Sequence, residues 1–264
     1  MSNKVHRRRF LSQMAAVAAV WTAAAKTPCR ALAADDSWGD LTGRLVYDGA
    51  APERERLVVD KDIDCCGKFD IRDESLMVGA DGGLMNVYVY LRSKVRAISP
   101  ELQKTVEKQV LLDNRDCIFI PHCMKIWNSR QEFYIKNSDP VAQNVAFSPD
   151  LDQPANIVIP VGADATWRFN RPQRKPVPIA CNYHPWESAY ILPVDHPYVA
   201  ITGEDGSFTI RRLPLGELEF QFWHERTDFL ETRDWSGGRL TVGIRAGLND
   251  LGTIKLPPAL FAKK

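Results

Sequence analysis

Neither sign of charge predominates in this chain: 264 residues carry 34 lysines and arginines against 33 aspartates and glutamates. That balance leaves no electrostatic footprint for nucleic acid or an anionic membrane. Long apolar runs are also scarce. The one present, Met14 to Ala25, lies near the N-terminus, and no second run is long enough for a membrane span. Helical patterning is nearly absent: only Ser99 to Lys108 reads as a helix, with Ser99 as N-cap and Pro100 as the first helical residue. No glycine-rich phosphate loop follows a strand, and no G-x-S-x-G elbow occurs. Internal repeats and low-complexity segments are absent too. These absences leave a non-enzymatic protein as the expectation.

What is present begins with an export signal. His6-Arg7-Arg8-Arg9-Phe10-Leu11 places paired arginines before Phe-Leu, and Ala31-Leu32-Ala33 offers small residues for cleavage. The pattern is that of a twin-arginine signal, with a general secretory signal as the alternative. Residues 1–34 are therefore expected to be removed, and the protein to be periplasmic or otherwise exported. The remaining residues, about 230, suffice for one large or two small domains. They keep Cys65, Cys66, Cys117, Cys123 and Cys181, an odd number that disulfides within one chain cannot exhaust. A spare thiol in an oxidising compartment is usually buried or bound to metal. Cys181 is the strongest candidate ligand.

Short β-type segments with turn punctuation dominate the rest. Leu41–Tyr47, Asn86–Leu91, Gln109–Leu112, Ile118–Ile120, Met124–Trp127, Glu132–Lys136, Asn156–Ile159, Thr166–Phe169 and Val177–Cys181 read as strands. Tyr198–Thr202 and Ser207–Ile210 flank Gly203-Glu204-Asp205-Gly206, whose Asp-Gly pair suits a tight turn. Glu217–Trp223 alternates Leu218, Phe220 and Phe222 on one face. Many short strands with few helices imply an all-β sandwich. A boundary near Pro193–Pro197 divides residues 35–197 from a C-terminal meander, 198–264.

The chemistry concentrates in Cys181-Asn182-Tyr183-His184-Pro185-Trp186-Glu187. A thiol and an imidazole two residues apart, on one loop after a strand, can reach a single metal. Sulfur and nitrogen donors suit copper or zinc.

Several segments together resemble a family of exported bacterial cupredoxin-like proteins, of plastocyanin-like or methylamine-utilisation-like type. They are Pro121-His122, Asn137-Ser138-Asp139-Pro140 with Gln143-Asn144-Val145, the Cys181-x-x-His184-Pro185-Trp186 loop, Asp195-His196-Pro197-Tyr198, and Trp223-His224-Glu225. The meander from Tyr198 resembles a carboxypeptidase-regulatory β-module. The resemblance implies a cupredoxin-like sandwich, a copper ion, electron transfer and a redox protein partner. In its copper-binding members a His-Asn pair supplies one ligand, the Cys-x-x-His loop two, and a methionine three residues later the axial sulfur. Cys181 and His184 match that pattern; Gln143 stands for the first histidine and Glu187 for the methionine.

A type-1 copper site needs two imidazoles and a thiolate. Gln143 offers only a neutral amide, and Glu187 a hard carboxylate. The donors leave three outcomes: a vestigial site without metal, a non-blue copper or zinc site, or a working type-1 centre. His122 and Cys123 are candidate additional ligands, with a structural histidine as the alternative for His122. Cys66 and Cys117 are a candidate disulfide, in which Cys65 is able to replace Cys66. Trp186 and Tyr190 either pack around the loop or form a docking patch. The competing functions are a non-catalytic β-sandwich module that binds a partner or carbohydrate, and a zinc hydrolase with Glu187 as base. Neither nucleic acid nor a membrane span is expected.

Overall fold

The computed structural model describes residues 37–104 and 106–262. The export signal expected over residues 1–34 lies outside them. In chain order the elements are β1 (Trp38–Tyr47), the single-turn α1 (Ile63–Cys66), β2 (Tyr88–Leu91), α2 (Pro100–Lys104), β3 (Gln109–Arg115), β4 (Ile118–Ile120), β5 (Cys123–Trp127), β6 (Glu132–Asn137) and β7 (Gln143–Phe147). They continue with β8 (Ala155–Ile159), β9 (Asp164–Trp167), β10 (Val177–Ala180), β11 (Ser188–Val194), β12 (Val199–Ile201), β13 (Ser207–Pro214), β14 (Gly216–His224), β15 (Asp228–Phe229), β16 (Arg239–Ile244) and β17 (Gly247–Leu256). The fold is all-β.

Two pairs of sheets enclose two cores. Sheets β4-β3-β6-β9 and β5-β11-β10-β7-β8 form one sandwich. Its core holds Leu112, Phe133, Phe147, Ile179, Ile191 and Cys181. The other sandwich joins sheet β13-β1-β17 to sheet β12-β2-β14-β15, with β16 on β14, around Leu41, Leu45, Val89, Phe208, Phe220 and Phe222. The N-terminal strands, expected with residues 35–197, pair here with strands from 198–264: β1 with β13 and β17, and β2 with β12 and β14.

The period of two explains how one sheet serves its own core and the junction with the other sandwich. In β2, Val89 and Leu91 point into the second core, while Tyr88 and Tyr90 point the other way, toward Leu192 and Val194 of β11. All four residues of β2 are therefore buried, and its sequence shows no polar alternation. The Tyr88 hydroxyl donates to the Tyr190 carbonyl at 2.9 Å and accepts the Met124 N–H at 3.0 Å, so this junction hides no unmet phenol.

The expected helix from Ser99 to Lys108 is shortened to Pro100–Lys104. The backbone beyond it is captured by β6, where Glu132 N–H donates to Lys108 O at 2.9 Å and Gln131 Nε2 to Glu107 O at 3.0 Å. Pairing within a sheet wins there over local propensity.

Gly206 closes the expected Asp-Gly turn with φ 75°. A Cβ there would lie 2.1 Å from Leu45 O and 2.8 Å from Leu84 N. Those are backbone atoms that no rotamer change moves. Gly206→Ala is expected to lose roughly 2–3 kcal/mol in urea denaturation. A loss under about 0.5 kcal/mol would show that the turn yields freely.

Candidate metal centre

The loop after β10 is built by its neighbours. Cys181 N–H donates to Glu187 O at 3.3 Å and Glu187 N–H to His184 O at 2.9 Å, folding residues 181–187 into a tight return. Strand β7 lies beside β10 and supplies two side chains. The Asn144 amide oxygen accepts from Asn182 N at 2.7 Å and Tyr183 N at 3.3 Å, which fixes the start of the loop. Gln143 reaches into the loop itself.

The Gln143 amide orientation follows from its partners. Nε2 donates to Asp139 Oδ2 at 3.0 Å and Glu187 Oε1 at 3.1 Å. The carbonyl Oε1 then faces His184 Nδ1 at 2.6 Å and Cys181 Sγ at 3.4 Å. His184 Nδ1 lies 3.7 Å from Cys181 Sγ and 3.4 Å from Glu187 Oε1. One donor atom from each of Cys181, His184 and Glu187 falls within 4.8 Å of the others. The structure thus gathers Cys181, His184, Glu187 and Gln143, all buried.

The electrostatics are those of a crowded, dry site. Burial, with the Asp139 carboxylate nearby, pushes the Glu187 carboxyl up to about 8, against the pull of the Gln143 amide. Its Oε2 is buried with no hydrogen-bond partner. Burial also pushes the Cys181 thiol up. On the outer side of the ring, His184 Nε2 meets Asp62 Oδ2 at 2.8 Å.

His122 and Cys123 do not join this group. His122 is held by the Ser188 carbonyl at 3.1 Å and by Glu225 Oε1 at 2.9 Å, with Glu74 Oε2 at 3.6 Å. Burial lowers its proton affinity, but the Glu225 hydrogen bond and the neighbouring carboxylates raise it above the ordinary histidine range. Cys123 packs with Tyr88, Tyr90 and Trp223 at the junction of the two sandwiches, on the face of β5 opposite Met124 and Ile126. Strand alternation sends it away from Cys181.

Cys66 and Cys117 form a disulfide with a Cα–Cα distance of 5.5 Å. The free Cys65 Sγ lies 4.0 Å from Cys117 Sγ. Trp186 packs beside His184, ring centroids 5.1 Å apart, and its Nε1–H donates to Cys117 O at 2.9 Å. Tyr190 lies against Trp223, centroids 5.1 Å apart. Both rings pack around the loop and its neighbours while remaining partly exposed. His196 and His224 are buried: His196 Nε2–H donates to Leu91 O at 3.1 Å, and His224 Nδ1 accepts Arg226 N–H at 3.2 Å. Asp62 escaped the sequence reasoning, since nothing in Asp60-Lys61-Asp62 marks a partner 122 positions away. Asp139 and Asn144 sat inside the quoted motifs but carried no assigned role.

No family model and no curated protein matches the chain. Among solved structures it is similar to a purple cupredoxin from Nitrosopumilus maritimus, at 15% identity over 33% of this chain and 100% of that one, TM-score 0.27. It is similar to a mutant of amicyanin with Cu(I), at 11% identity over 40% of this chain and 98% of that one, TM-score 0.28. A copper-containing nitrite reductase from Thermus scotoductus shares 16% identity over 40% of this chain but only 25% of its own length, TM-score 0.28. Among the described residues, no helix is long and apolar enough to cross a membrane.

Proposed function

We propose that this is an exported, non-enzymatic cupredoxin-like protein, related to copper electron carriers, whose altered site binds one metal ion. Cys181, His184 and Glu187 would hold the ion, with the Gln143 carbonyl as a fourth donor. The observation that carries this reading is the unpartnered, buried Glu187 Oε2, on a carboxyl group whose Oε1 lies 3.4 Å from His184 Nδ1 and which gathers with Cys181 and His184. A buried carboxylate oxygen without a partner is costly unless something positive meets it. Gln143 Oε1 and His184 Nδ1 also face each other at 2.6 Å. In the metal-free site Nδ1–H donates to the amide oxygen, and an ion bound by Nδ1 would take the place of that proton, with Gln143 moving outward.

The donors do not fit a type-1 centre, because Gln143 occupies the place of the second imidazole. They fit a divalent ion that takes sulfur, nitrogen and oxygen together, such as zinc or Cu(II). A set with one imidazole and a hard carboxylate does not favour fast electron transfer to a redox protein partner. Hydrolysis is disfavoured as well. Glu187 as a ligand is not free to act as base, and the buried donors leave little room for a substrate. The ion would tie the 181–187 loop to β7.

A second reading has its own observation. Gln143 already bonds Asp139, Glu187 and His184, so the site is largely satisfied by internal hydrogen bonds. A metal-free module that binds a partner or carbohydrate would keep this arrangement.

Metal content and titration with Cu(II) and then Zn(II) separate these readings. The expected result is one equivalent bound without an intense thiolate-to-copper band, lost in Cys181→Ser and weakened in Glu187→Gln. An intense band would restore type-1 electron transfer with a redox partner. No tight binding of either ion would leave the metal-free module.

A further inference from the structure

Asp62 precedes α1 with φ 44° and ψ 45°, in the left-handed region. Aspartate tolerates that region better than most residues, but it persists only where the surroundings hold it. Here they do. Cys65 N–H and Cys66 N–H donate to Asp62 O at 2.9 and 2.8 Å. Cys66 is bonded to Cys117, in the β3–β4 turn. Cys117 N–H donates to the Asp139 carboxylate at 3.2 Å, and Cys117 O accepts from Trp186. Asp139 in turn accepts from Gln143. The disulfide therefore fastens α1 to the two residues flanking the donor cluster, and Asp62 Oδ2 is thereby set 2.8 Å from His184 Nε2.

An imidazole that gives its Nε2–H to a carboxylate turns the Nδ1 lone pair the other way. Nδ1 is the nitrogen that faces Cys181 and Glu187. Carboxylate partners of this kind fix the tautomer and ring angle of metal-binding histidines.

We propose that Asp62 is the positioning residue that aims His184 Nδ1 at the donor cluster, and that the Cys66–Cys117 disulfide holds Asp62 there, so metal affinity depends on that bond. The inference rests on the metal-binding reading above. Reduction by a dithiol would place two electrons in the S–S bond, leave Cys66 and Cys117 as thiols, and close the reductant to its own disulfide. With its anchor gone, α1 would release Asp62.

The test is Zn(II) affinity of the whole protein and its variants, by competition with a chelator. Asp62→Ala is expected to weaken binding about 10- to 100-fold. Asp62→Asn still accepts a hydrogen bond and should recover much of that loss, while the exposed neighbour variant Asp64→Ala should bind as wild type. Cys65→Ser/Cys66→Ser/Cys117→Ser should match Asp62→Ala, and adding Asp62→Ala to it should do little more. Should the triple variant not fold, dithiol-reduced wild type freed of reductant takes its place. A second readout needs no metal: long-range proton–nitrogen spectra of the His184 ring. Beside the Nδ1 proton that the Gln143 carbonyl holds, the wild type should show a proton held on Nε2 by Asp62, and Asp62→Ala should lose the Nε2 proton and keep the one on Nδ1. If the wild type bound no zinc, the metal reading alone would fall, and the ring spectrum would decide the role of Asp62. Unchanged affinity and ring spectrum in Asp62→Ala overturn the positioning role. Wild-type affinity in the triple variant overturns the disulfide's part.

Discussion

Cys117→Ser is expected to lower stability by about 4 kcal/mol, whereas Cys66→Ser should lose much less. The first figure follows from loop closure. The Cys66–Cys117 bond spans 51 positions, and a loop of that size removes roughly 4 kcal/mol of unfolded-state entropy. The second follows from geometry. Cys65 Sγ already lies 4.0 Å from Cys117 Sγ, so it can take over the bridge when Cys66 is gone. Cys117 is the shared partner and has no such substitute. Either substitution leaves a polar hydroxyl in a site that is 0% exposed, so that cost is common to both and the difference between them reports the bridge. Urea denaturation under oxidising conditions, with peptide mapping of the disulfide in each variant, measures both halves. Equal losses in the two variants would mean that Cys65 does not bridge. A Cys117→Ser loss below about 1 kcal/mol would mean that the 66–117 segment retains structure in the unfolded chain.

The parts of this molecule that were legible in its sequence are those encoded locally. Cys181 and His184 sit three positions apart on one loop, and any fold that ends a strand at Ala180 brings them together. Gln143 and Glu187 were legible through the resemblance, because each occupies a ligand's place in the motif. Strands such as β4 and β13 were readable from β-branched and aromatic runs broken by turn residues. Pairing between distant segments was not readable. The parallel partnership of β1 with β17 joins chain positions some two hundred residues apart, and no local pattern encodes it. Asp62 was hidden for the same reason. His122 shows a choice the sequence left open. It read as a structural histidine or, beside Cys123, as an added ligand, and the partner that decides its surroundings comes from the neighbouring sandwich. That sandwich supplies Glu225, which claims the ring.

Acid should weaken the fold through His224 well before ordinary carboxylates titrate. The ring is 0% exposed, its Nε2 has no partner, and it packs edge-on against Phe261 at 5.3 Å. Burial, then the nearby charges of Arg226 and His122, lower its pKa to about 3 from an ordinary 6.5. Between those values the unfolded chain binds a proton that the folded protein refuses. Stability contributed by neutral His224 is therefore complete above pH 6.5 and lost as pH falls, at about 1.4 kcal/mol per unit. From pH 6.5 to 4.5 the loss reaches roughly 3 kcal/mol. Other groups must be separated from it: burial lowers His196, with the sign of His224, and raises Glu74, with the sign of Glu187. His122 binds its proton more tightly when folded, so its contribution is complete below pH 6.5 and is lost only above it. Glu187 acts inside the same window with the opposite sign. Its carboxyl is raised from 4.5 to about 8, so in the metal-free protein its effect on stability declines as pH rises through that interval. The raw pH profile of the wild type is thus a sum of opposed contributions that does not isolate His224. The difference between wild type and His224→Phe removes Glu187 and exposes the histidine alone, while keeping an aromatic ring against Phe261. Urea denaturation of both proteins at intervals from pH 7 to 4.5 should show the variant gaining on the wild type by about 1.4 kcal/mol per unit of acidification. A constant difference across that range would mean that the folded protein admits the proton, by opening the 224–228 turn to water.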